Sequence, residues 1–316
     1  SLARVNGFVM RRENLQAFKR LVEAFKRSNP DALLLFQITH AGEKAGAFSQ
    51  PTALYAKEEG PPPLSETGVE EIRKAFVTAA LLAEEAGADG IDFKMCHGYF
   101  GCEMMRPANR RPDRWGGSFE NRTRFLTEGI GEIRSRLTNP DFILGARLSL
   151  YEGIRGGCGT GGADELTEDL GEMLRLPGLL DELGMHYVNV SAGIPGRTSE
   201  ITRPTPQALW FYLHLFRYAR LVKQLGTGLT VFGSGYSILK EKGPELATEN
   251  IRRGYTDFAG WGRQIFADPL FPRKLMQGDE IDYCTGCSGC SKLMVRQLND
   301  GCSVYDPYYK ALLKAR

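Results

Sequence analysis

Residues 87–134 read GADGIDFKMCHGYFGCEMMRPANRRPDRWGGSFENRTRFLTEGIGEIR. The stretch opens with a short apolar run, Gly90–Lys94, continues through a polar loop, and enters an amphipathic segment with helical spacing, Ser118–Arg136. A strand followed by a loop and a helix is the repeating unit of proteins built on parallel sheets. This stretch therefore predicts one β/α unit of such a sheet.

The same pattern recurs on both sides of this unit. Each strand is a short, mostly apolar run, as expected for a strand that is buried on both faces. The predicted strands are Leu33–Ile38, Gly90–Lys94, Phe142–Leu148, Tyr187–Ala192, Leu229–Ser234 and Phe258–Arg263. The predicted helices are Glu13–Lys26, Glu66–Ala86, Ser118–Arg136, Asp164–Leu183, Pro206–Leu225 and Leu239–Arg253. The alternation predicts parallel strands joined by helical crossovers.

We predict an α/β fold of the TIM (β/α)8-barrel type, because polar residues follow the carboxyl ends of successive strands, as in barrel active sites. Six strands are two fewer than a closed barrel needs, and the first thirty residues read as a loop and one charged helix. The absent pair is therefore expected to be the first two strands, on roughly 70–90 residues ahead of this sequence. An open doubly wound sheet is the alternative fold, but no GxGxxG follows the first strand.

Composition limits the classes of partner. With 316 residues, 42% of them hydrophobic, the chain can bury a large core. The 40 basic and 38 acidic residues are spread along the chain, which argues against nucleic acid or an anionic membrane and favours a small-molecule partner. No apolar run is long enough to span a bilayer and no signal peptide is evident, so a cytoplasmic location is expected.

Four of the seven cysteines crowd into the end of the chain, with the spacing Cys284-x2-Cys287-x2-Cys290-x11-Cys302. Crowding at short spacing favours metal ligation over a disulfide framework. Three thiolates within seven residues and a more distant fourth are typical of a 4Fe–4S cluster. Zinc is the alternative, although a zinc ribbon more often shows two separated C-x2-C pairs. We expect the barrel to occupy residues 1–276 and this cysteine-rich segment to occupy residues 277–316.

Hydrogen-bonding residues, charged residues and glycines stand at or just after the carboxyl ends of the predicted strands. Any one of them alone is most simply a structural residue, but together they predict an active site at one mouth of the barrel. They are Gln37 and His40, then Lys94, His97 and Tyr99, then Arg147, Ser191, Gly193, Gly233, Gly235, Gly262 and Arg263.

These motifs resemble those of the FMN-dependent old yellow enzyme family. Residues 87–134 are similar to the family's HGYL segment and its N-x-R-x-D-x-x-GG-S-x-ENR-x-R-F block, and GWGRQIFADP at 260–269 is similar to its GLGR-x-x-x-ADP segment. The resemblance runs from about Leu33 to Cys302 and is strongest to the iron–sulfur branch with 2,4-dienoyl-CoA reductase and trimethylamine dehydrogenase. It implies an oxidoreductase with FMN, a 4Fe–4S cluster and NAD(P)H as electron donor.

The resemblance also implies which residues bind the flavin. Gln37 matches the glutamine at the polar edge of the isoalloxazine, and Arg147 matches the arginine beside flavin N1 and O2, where a fixed cation stabilises reduced flavin. The residues matching the phosphate-binding loops are Gly233, Ser234, Gly235, Gly262 and Arg263. Phosphate sites of barrels commonly form at these two loops.

For catalysis, the resemblance implies that His97 binds the acceptor group of an activated C=C substrate and that Tyr99 delivers a proton to the carbon opposite the hydride. Lys94 stands where the family has His or Asn. Lysine donates hydrogen bonds but cannot accept them, so it would bind an anionic substrate group or an enolate, or else pair with Asp92 or Glu103 as part of the structure.

The remaining histidines are expected to be structural. His40 belongs to a motif in which Glu43 replaces the family's arginine, and His186 and His214 read as ordinary strand-edge or helix residues.

Two alternative functions remain open. The family scaffold also supports oxidation of amines or other C–N substrates, and a barrel without its first two strands could be a non-catalytic fragment. Electrons would come from NAD(P)H at the flavin or from a separate donor protein, with the cluster as a relay. A homo-oligomer is expected from the resemblance.

Overall fold

The computed structural model describes residues 1–5, 7–56 and 61–315. Its centre is a six-stranded sheet whose strands lie side by side in chain order. The strands are β1 Leu35–Ile38, β2 Gly90–Met95, β3 Ile143–Ser149, β4 Tyr187–Ser191, β5 Thr230–Gly233 and β6 Phe258–Ala259. Each neighbouring pair is parallel. The six strands and their parallel arrangement are as the sequence predicts.

Twelve α-helices accompany the sheet in the described part of the chain. They are α1 Leu15–Ser28, α2 Glu66–Glu85, α3 Phe100–Met105, α4 Phe119–Arg136, α5 Leu176–Glu182, α6 Ser199–Thr202, α7 Tyr212–Lys223, α8 Lys242–Arg252, α9 Arg263–Ala267, α10 Phe271–Gln277, α11 Gly289–Val295 and α12 Pro307–Lys314. Ser65 caps α2, because its hydroxyl accepts from the Gly68 N–H at 3.1 Å. None of the described helices combines the length and apolar character that crossing a lipid bilayer requires.

Three sequence predictions need correction. The helix predicted over Asp164–Leu183 forms only from Leu176, because residues 164–175 are turns and irregular backbone, Glu168 forms a bridge to Thr160, and Pro177 fits only the first turn of a helix. The helix predicted from Pro206 begins as a 3-10 segment, Pro206–Phe211, before α7. The strand predicted over Phe258–Arg263 ends at Ala259, since Arg263 already opens α9.

The densest packing lies where α2 and α4 cover β2. Phe76, Phe93 and Phe125 meet with ring centroids 4.8–5.9 Å apart, and Phe100 adds a fourth ring at 5.4 Å from Phe125. All four side chains are buried. A buried aromatic cluster of this kind contributes both apolar area and specific ring geometry. It fixes the end of β2, which carries Lys94, against the loop that follows.

The sheet is open among the described residues. β1 pairs only with β2, and β6 pairs only with β5. The carboxyl ends of all six strands lie along one edge, since parallel strands run in the same direction. That edge carries the polar residues that the sequence singles out.

Candidate functional site

His97 follows β2 directly and takes a left-handed backbone conformation, with φ of 63°. Its N–H donates to the Ser149 hydroxyl at 3.0 Å, and its Nε2 lies 2.7 Å from the Ser191 hydroxyl. The ring is therefore fixed to the ends of β3 and β4. Burial, followed by the charges of Arg147 and Lys94, holds the pKa of His97 well below its usual value. The imidazole is neutral at physiological pH.

Tyr99 and Lys94 are in direct contact. The Lys94 ammonium lies 3.5 Å from the centre of the Tyr99 ring, which is a close cation–π contact. Burial lowers the pKa of Lys94 and raises the pKa of Tyr99. The Tyr99 hydroxyl therefore stays protonated, and keeping Lys94 charged costs more free energy than keeping a surface lysine charged.

The structural role considered for Lys94, an ion pair with Asp92 or Glu103, is not formed. Lys94 makes no ion pair with any residue that the structure describes. The Asp92 carboxylate instead accepts from the Gln37 amide at 3.0 Å and from the Tyr187 hydroxyl at 3.1 Å. Burial raises the pKa of Asp92. Lys94 is left facing Tyr99 and the mouth of the sheet.

Arg147 lies beside Lys94, its partner in the β2–β3 register. Its Nε is buried and has no hydrogen-bond partner among the described residues. An unpaired buried guanidinium N–H carries a large desolvation cost, so such a group calls for an acceptor. The acceptor-rich edge of a flavin is a group of the required kind, and the residues present therefore fit FMN at this place.

The two predicted phosphate loops come together. Gly233 ends β5 and its carbonyl accepts from the Gly260 N–H at 2.7 Å, which joins the loop after β5 to the loop after β6. Gly235 has a left-handed φ of 103°, and a Cβ at Gly262 would meet no atom within 4 Å. Open space beside exposed backbone is what a bound phosphate requires.

Side-chain contacts fix these loops. The Ser234 hydroxyl donates to the Val190 carbonyl at 3.1 Å, and the Arg263 guanidinium donates to the Pro204 carbonyl at 3.0 Å. Arg263 also borders the cysteine-rich segment. It lines one small cavity together with Phe266, Ala267 and all four C-terminal cysteines, Cys284, Cys287, Cys290 and Cys302.

The spacing of those four thiols bears on the metal. A zinc ion with Zn–S bonds of about 2.3 Å draws its sulfurs to roughly 3.8 Å from each other. Among the described residues, only Cys102, Glu152 and Cys158 form a group of three metal-type ligands within 4.8 Å of one another. The four C-terminal thiols line one cavity, but no three of them lie that close together.

The group of Cys102, Glu152 and Cys158 is one that sequence reasoning missed. Arg106 donates to both oxygens of Glu152, at 2.7 and 2.9 Å, and the two sulfurs are 3.8 Å apart. All four side chains are buried. The carboxylate is occupied by the guanidinium, so this group joins α3 to the loop after β3. No spacing signal in the sequence links residues about fifty positions apart.

The motif block after Tyr99 is largely structural. The Asn109 amide donates to the carbonyls of Met104 and Trp115, both at 2.8 Å. Arg122 donates to the carbonyl of Met105 at 2.6 Å and to that of Gly117 at 3.0 Å. These contacts hold the loop that follows α3 and so fix the position of His97 and Tyr99.

The other histidines have local contacts. The His40 Nδ1 accepts from the Gly42 N–H at 3.2 Å, and burial lowers the pKa of His40 to about 4. The His186 Nδ1 accepts from the Leu144 N–H at 3.0 Å, at the edge of β4. The His214 ring packs against Trp210.

Known proteins resemble this chain in sequence and in fold. Residues 4–174 match the sequence model of the NADH:flavin oxidoreductase / NADH oxidase family. The chain is 33% identical over 234 residues to NADH oxidase of Thermoanaerobacter brockii, covering 73% of this chain and 33% of that protein. It is 34% identical over 229 residues to dimethylamine dehydrogenase of Hyphomicrobium sp. (strain x), covering 70% and 28%. The chain thus spans about a third of the length of these relatives.

Cinnamate reductase of Clostridium sporogenes is 28% identical over 247 residues, with 76% of this chain and 36% of that protein covered. Among solved structures, a 2-naphthoyl-CoA reductase complex with 2-naphthoyl-CoA superposes with a TM-score of 0.80 at 22% identity, covering 99% of this chain and 48% of the other. Morphinone reductase superposes with a TM-score of 0.66 at 19% identity, covering 89% and 76%. These likenesses identify the fold.

Proposed function

Because the chain belongs to the NADH:flavin oxidoreductase / NADH oxidase family, we propose that it uses FMN to pass a hydride from NAD(P)H to a small molecule with an activated C=C bond. The observation that carries this proposal is the cluster at the ends of β2 to β4. A neutral, fixed His97 lies near Arg147, whose Nε lacks an acceptor, and a protonated Tyr99 lies against Lys94, the neighbour of Arg147 in the sheet.

Bound FMN would supply the hydride chemistry. Gln37 and Arg147 are the residues proposed to contact the isoalloxazine. The phosphate would lie against the joined loops after β5 and β6, with contacts to Gly233, Ser234, Gly235, Gly262 and Arg263. Fixed donors at a site of developing negative charge stabilise it without reorganisation, which is the role proposed for Arg147.

The chain's own residues would then act on the substrate. His97 binds and polarises the acceptor group, and its orientation is held by Ser191. Tyr99 gives its hydroxyl proton to the carbon opposite the hydride. The Lys94 ammonium against the Tyr99 ring would stabilise the tyrosinate that forms as the proton leaves.

We further propose that Cys284, Cys287, Cys290 and Cys302 hold a 4Fe–4S cluster that relays electrons to the flavin site, with zinc as the weaker alternative. The shared cavity and the spacing of the four cysteines along the sequence support the cluster. In this proposal residues 277–316 form a segment appended to a barrel domain of residues 1–276. The electron donor would be NAD(P)H or a separate protein.

Oxidation of an amine is the second candidate. The similarity to dimethylamine dehydrogenase favours it, and the His or Asn that marks typical alkene reductases is absent. The charges at the site oppose it, because Lys94 and Arg147 would repel a protonated amine. We therefore rank C=C reduction first.

The proposal is tested on protein purified without oxygen, by its absorption spectrum with iron and acid-labile sulfide assayed on the same sample. We expect bound flavin, about four irons per chain, bleaching of the flavin by NADH or NADPH, and return of its absorbance on adding an activated alkene. Bleaching of the oxidised flavin by dimethylamine, in the absence of NADH and NADPH, would favour the amine alternative. A colourless protein would favour the alternative of a non-catalytic fragment. Bound flavin without iron would favour zinc at the four cysteines.

A further inference from the structure

Cys102, Glu152 and Cys158 form a buried trio of metal-type ligands between α3 and the loop after β3. Their donor atoms all lie within 4.8 Å of one another, and none of the three side chains is exposed. Cys102 belongs to α3, whereas Glu152 and Cys158 follow β3. Neither the flavin proposal nor the C-terminal cluster uses any of them. Thiolates and carboxylates are ligands that zinc takes in proteins.

The spacing of the donor atoms matches a single tetrahedral ion. The two sulfurs are 3.8 Å apart, and the Cys102 sulfur lies 3.2 Å from the Glu152 Oε1. Two sulfurs on one zinc ion, with Zn–S bonds of about 2.3 Å, lie roughly 3.8 Å apart, and a sulfur and a carboxylate oxygen on that ion lie roughly 3.5 Å apart. An ion can therefore replace the thiol protons with little movement of the side chains.

The Glu152 carboxylate is held in place for such a role. Arg106 donates to both of its oxygens, at 2.7 and 2.9 Å, and the Cys158 N–H donates to Oε2 at 3.0 Å. Oε1 also accepts from the Cys102 thiol, and this is the bond that an ion would replace. Carboxylates that ligate metals are commonly fixed by hydrogen bonds of this kind. Two packed sulfurs would lie at a similar distance without an ion, so the oriented carboxylate is what favours a metal site.

The loop that carries two of the ligands is tightly folded. The Glu152 N–H donates to the Cys158 carbonyl at 3.0 Å. Gly159 has a left-handed φ of 76°, and a Cβ there would lie 2.1 Å from the Leu150 carbonyl oxygen, so only glycine fits next to Cys158. The Cys102 carbonyl oxygen lies 3.5 Å from the Cys158 sulfur and is placed to take a fourth position on the ion.

We propose that Cys102, Glu152 and Cys158 bind one zinc ion, which fixes α3 to the loop after β3. As the ion binds, the two thiols lose their protons to solvent. One divalent cation replaces two protons, so the charge of the buried site is unchanged and no electron is transferred. An exchange without net charge avoids the large cost of burying an uncompensated ion.

The zinc ion would act on the position of the proposed catalytic residues and not on the substrate. Tyr99 is the N-cap residue of α3, and Ser149, which accepts from the His97 N–H, lies shortly before Glu152 in the chain. The ion would thus join the two segments that hold His97 and Tyr99. This inference goes beyond the proposed function and does not depend on it, since a structural ion needs neither flavin nor substrate.

The test counts zinc and iron per chain by inductively coupled plasma mass spectrometry, in holoenzyme purified without oxygen from cells grown with added zinc. We expect about one zinc per chain at this site, and Cys158→Ser should lose that ion while its iron content is unchanged. Cys96→Ser is the matched control, because Cys96 is a buried free cysteine outside the trio, and it should keep the zinc. Retention of the zinc in Cys158→Ser would overturn the proposal.

X-ray absorption at the zinc edge of the wild-type protein needs no variant to fold. We expect two sulfur neighbours together with oxygen, whereas four sulfur neighbours would place the ion at the C-terminal cysteines and overturn the proposal. If both sites held zinc, Cys287→Ser should keep one ion, with two sulfur neighbours.

Protein that is purified without zinc is dialysed slowly against Cd²⁺, a thiol-binding ion of the same charge. Uptake of one Cd²⁺ with release of about two protons, at unchanged iron content, would support the site. A wild-type protein that holds no zinc and takes up no Cd²⁺ would refute it.

Discussion

Tyr99 is the N-cap residue of α3, and its ring lies against the Lys94 ammonium. Burial raises the pKa of the phenol, so the hydroxyl is protonated at neutral pH. In the proposed function this hydroxyl gives up its proton only as charge develops on the substrate, so it would act in the C=C reduction and not in the reduction of the flavin.

Tyr99→Phe should therefore slow re-oxidation of the reduced flavin by an alkene by about 10²- to 10⁴-fold. Reduction of the flavin by NAD(P)H should change little, since that step needs no proton from Tyr99. Stopped-flow absorbance separates the two steps. Tyr151→Phe is the control, because the Tyr151 hydroxyl donates only to the Leu166 carbonyl outside the site. Equal slowing of both steps in Tyr99→Phe would contradict the assigned role.

His40 makes stability depend on pH. Its pKa is about 4 in the folded protein against about 6.5 when unfolded, because burial disfavours the charged ring and Nδ1 accepts from the Gly42 N–H. The folded state thus binds fewer protons, so the stabilisation is complete above pH 6.5 and is lost as pH falls towards 4, by roughly 3 kcal/mol at most. Urea unfolding at a series of pH values should show this loss, and His40→Gln should reduce it. A slope in this window that is the same in both proteins would refute the assignment.

At the scale of elements, the contact between α3 and the loop after β3 is made by a buried charge pair. Arg106 and Glu152 are almost wholly inaccessible, and the Cys158 N–H also donates to the carboxylate at 3.0 Å. A buried pair of this kind is strongly destabilised when one member is removed, because the other charge is left without compensation.

Glu152→Gln should accordingly lower the free energy of unfolding by about 3–5 kcal/mol. Denaturant unfolding followed by circular dichroism measures the change. Glu120→Gln, which removes a solvent-exposed partner of Arg175, is the control and should barely move the unfolding midpoint. Equal unfolding midpoints for the two variants would show that the Arg106–Glu152 pair does not hold α3 against the loop after β3.

At the scale of the whole molecule, the first residues of the sequence hold the cysteine-rich segment. Arg4 pairs with Asp300 at 2.7 Å and donates to the Leu298 carbonyl at 2.7 Å. The Val5 N–H donates to Gln297 at 2.9 Å. These contacts join parts of the chain almost three hundred residues apart, and they lie next to Cys302.

Arg4→Gln should therefore loosen this segment without unfolding the sheet. We expect deuterium uptake over residues 284–302 to rise roughly five-fold in rate, corresponding to about 1 kcal/mol for a partly exposed ion pair. Arg12→Gln, which removes an exposed pair with Glu85, should leave that uptake as in the wild-type protein. A rise confined to the sheet would show that the contact serves another purpose.

The six strands, their parallel order and the polar residues at their carboxyl ends were predictable from the amino-acid sequence. These features are local, because a short apolar run and the residues at its end read out directly from spacing. Helix boundaries were less predictable. The helix predicted over Asp164–Leu183 begins only at Leu176, just before Pro177, and residues 164–175 are not helical.

Which polar residues contact one another could not be predicted from the sequence and follows from the packing of the folded chain. Lys44 joins Lys94 at Tyr99, Glu152 joins Arg106, and the segment at Arg4 reaches Asp300. Each pairing depends on how loops from different strands fold over one edge of the sheet, and no periodicity encodes such distances. The sequence could therefore name the candidate site residues, whereas their charges, burial and partners arise from packing.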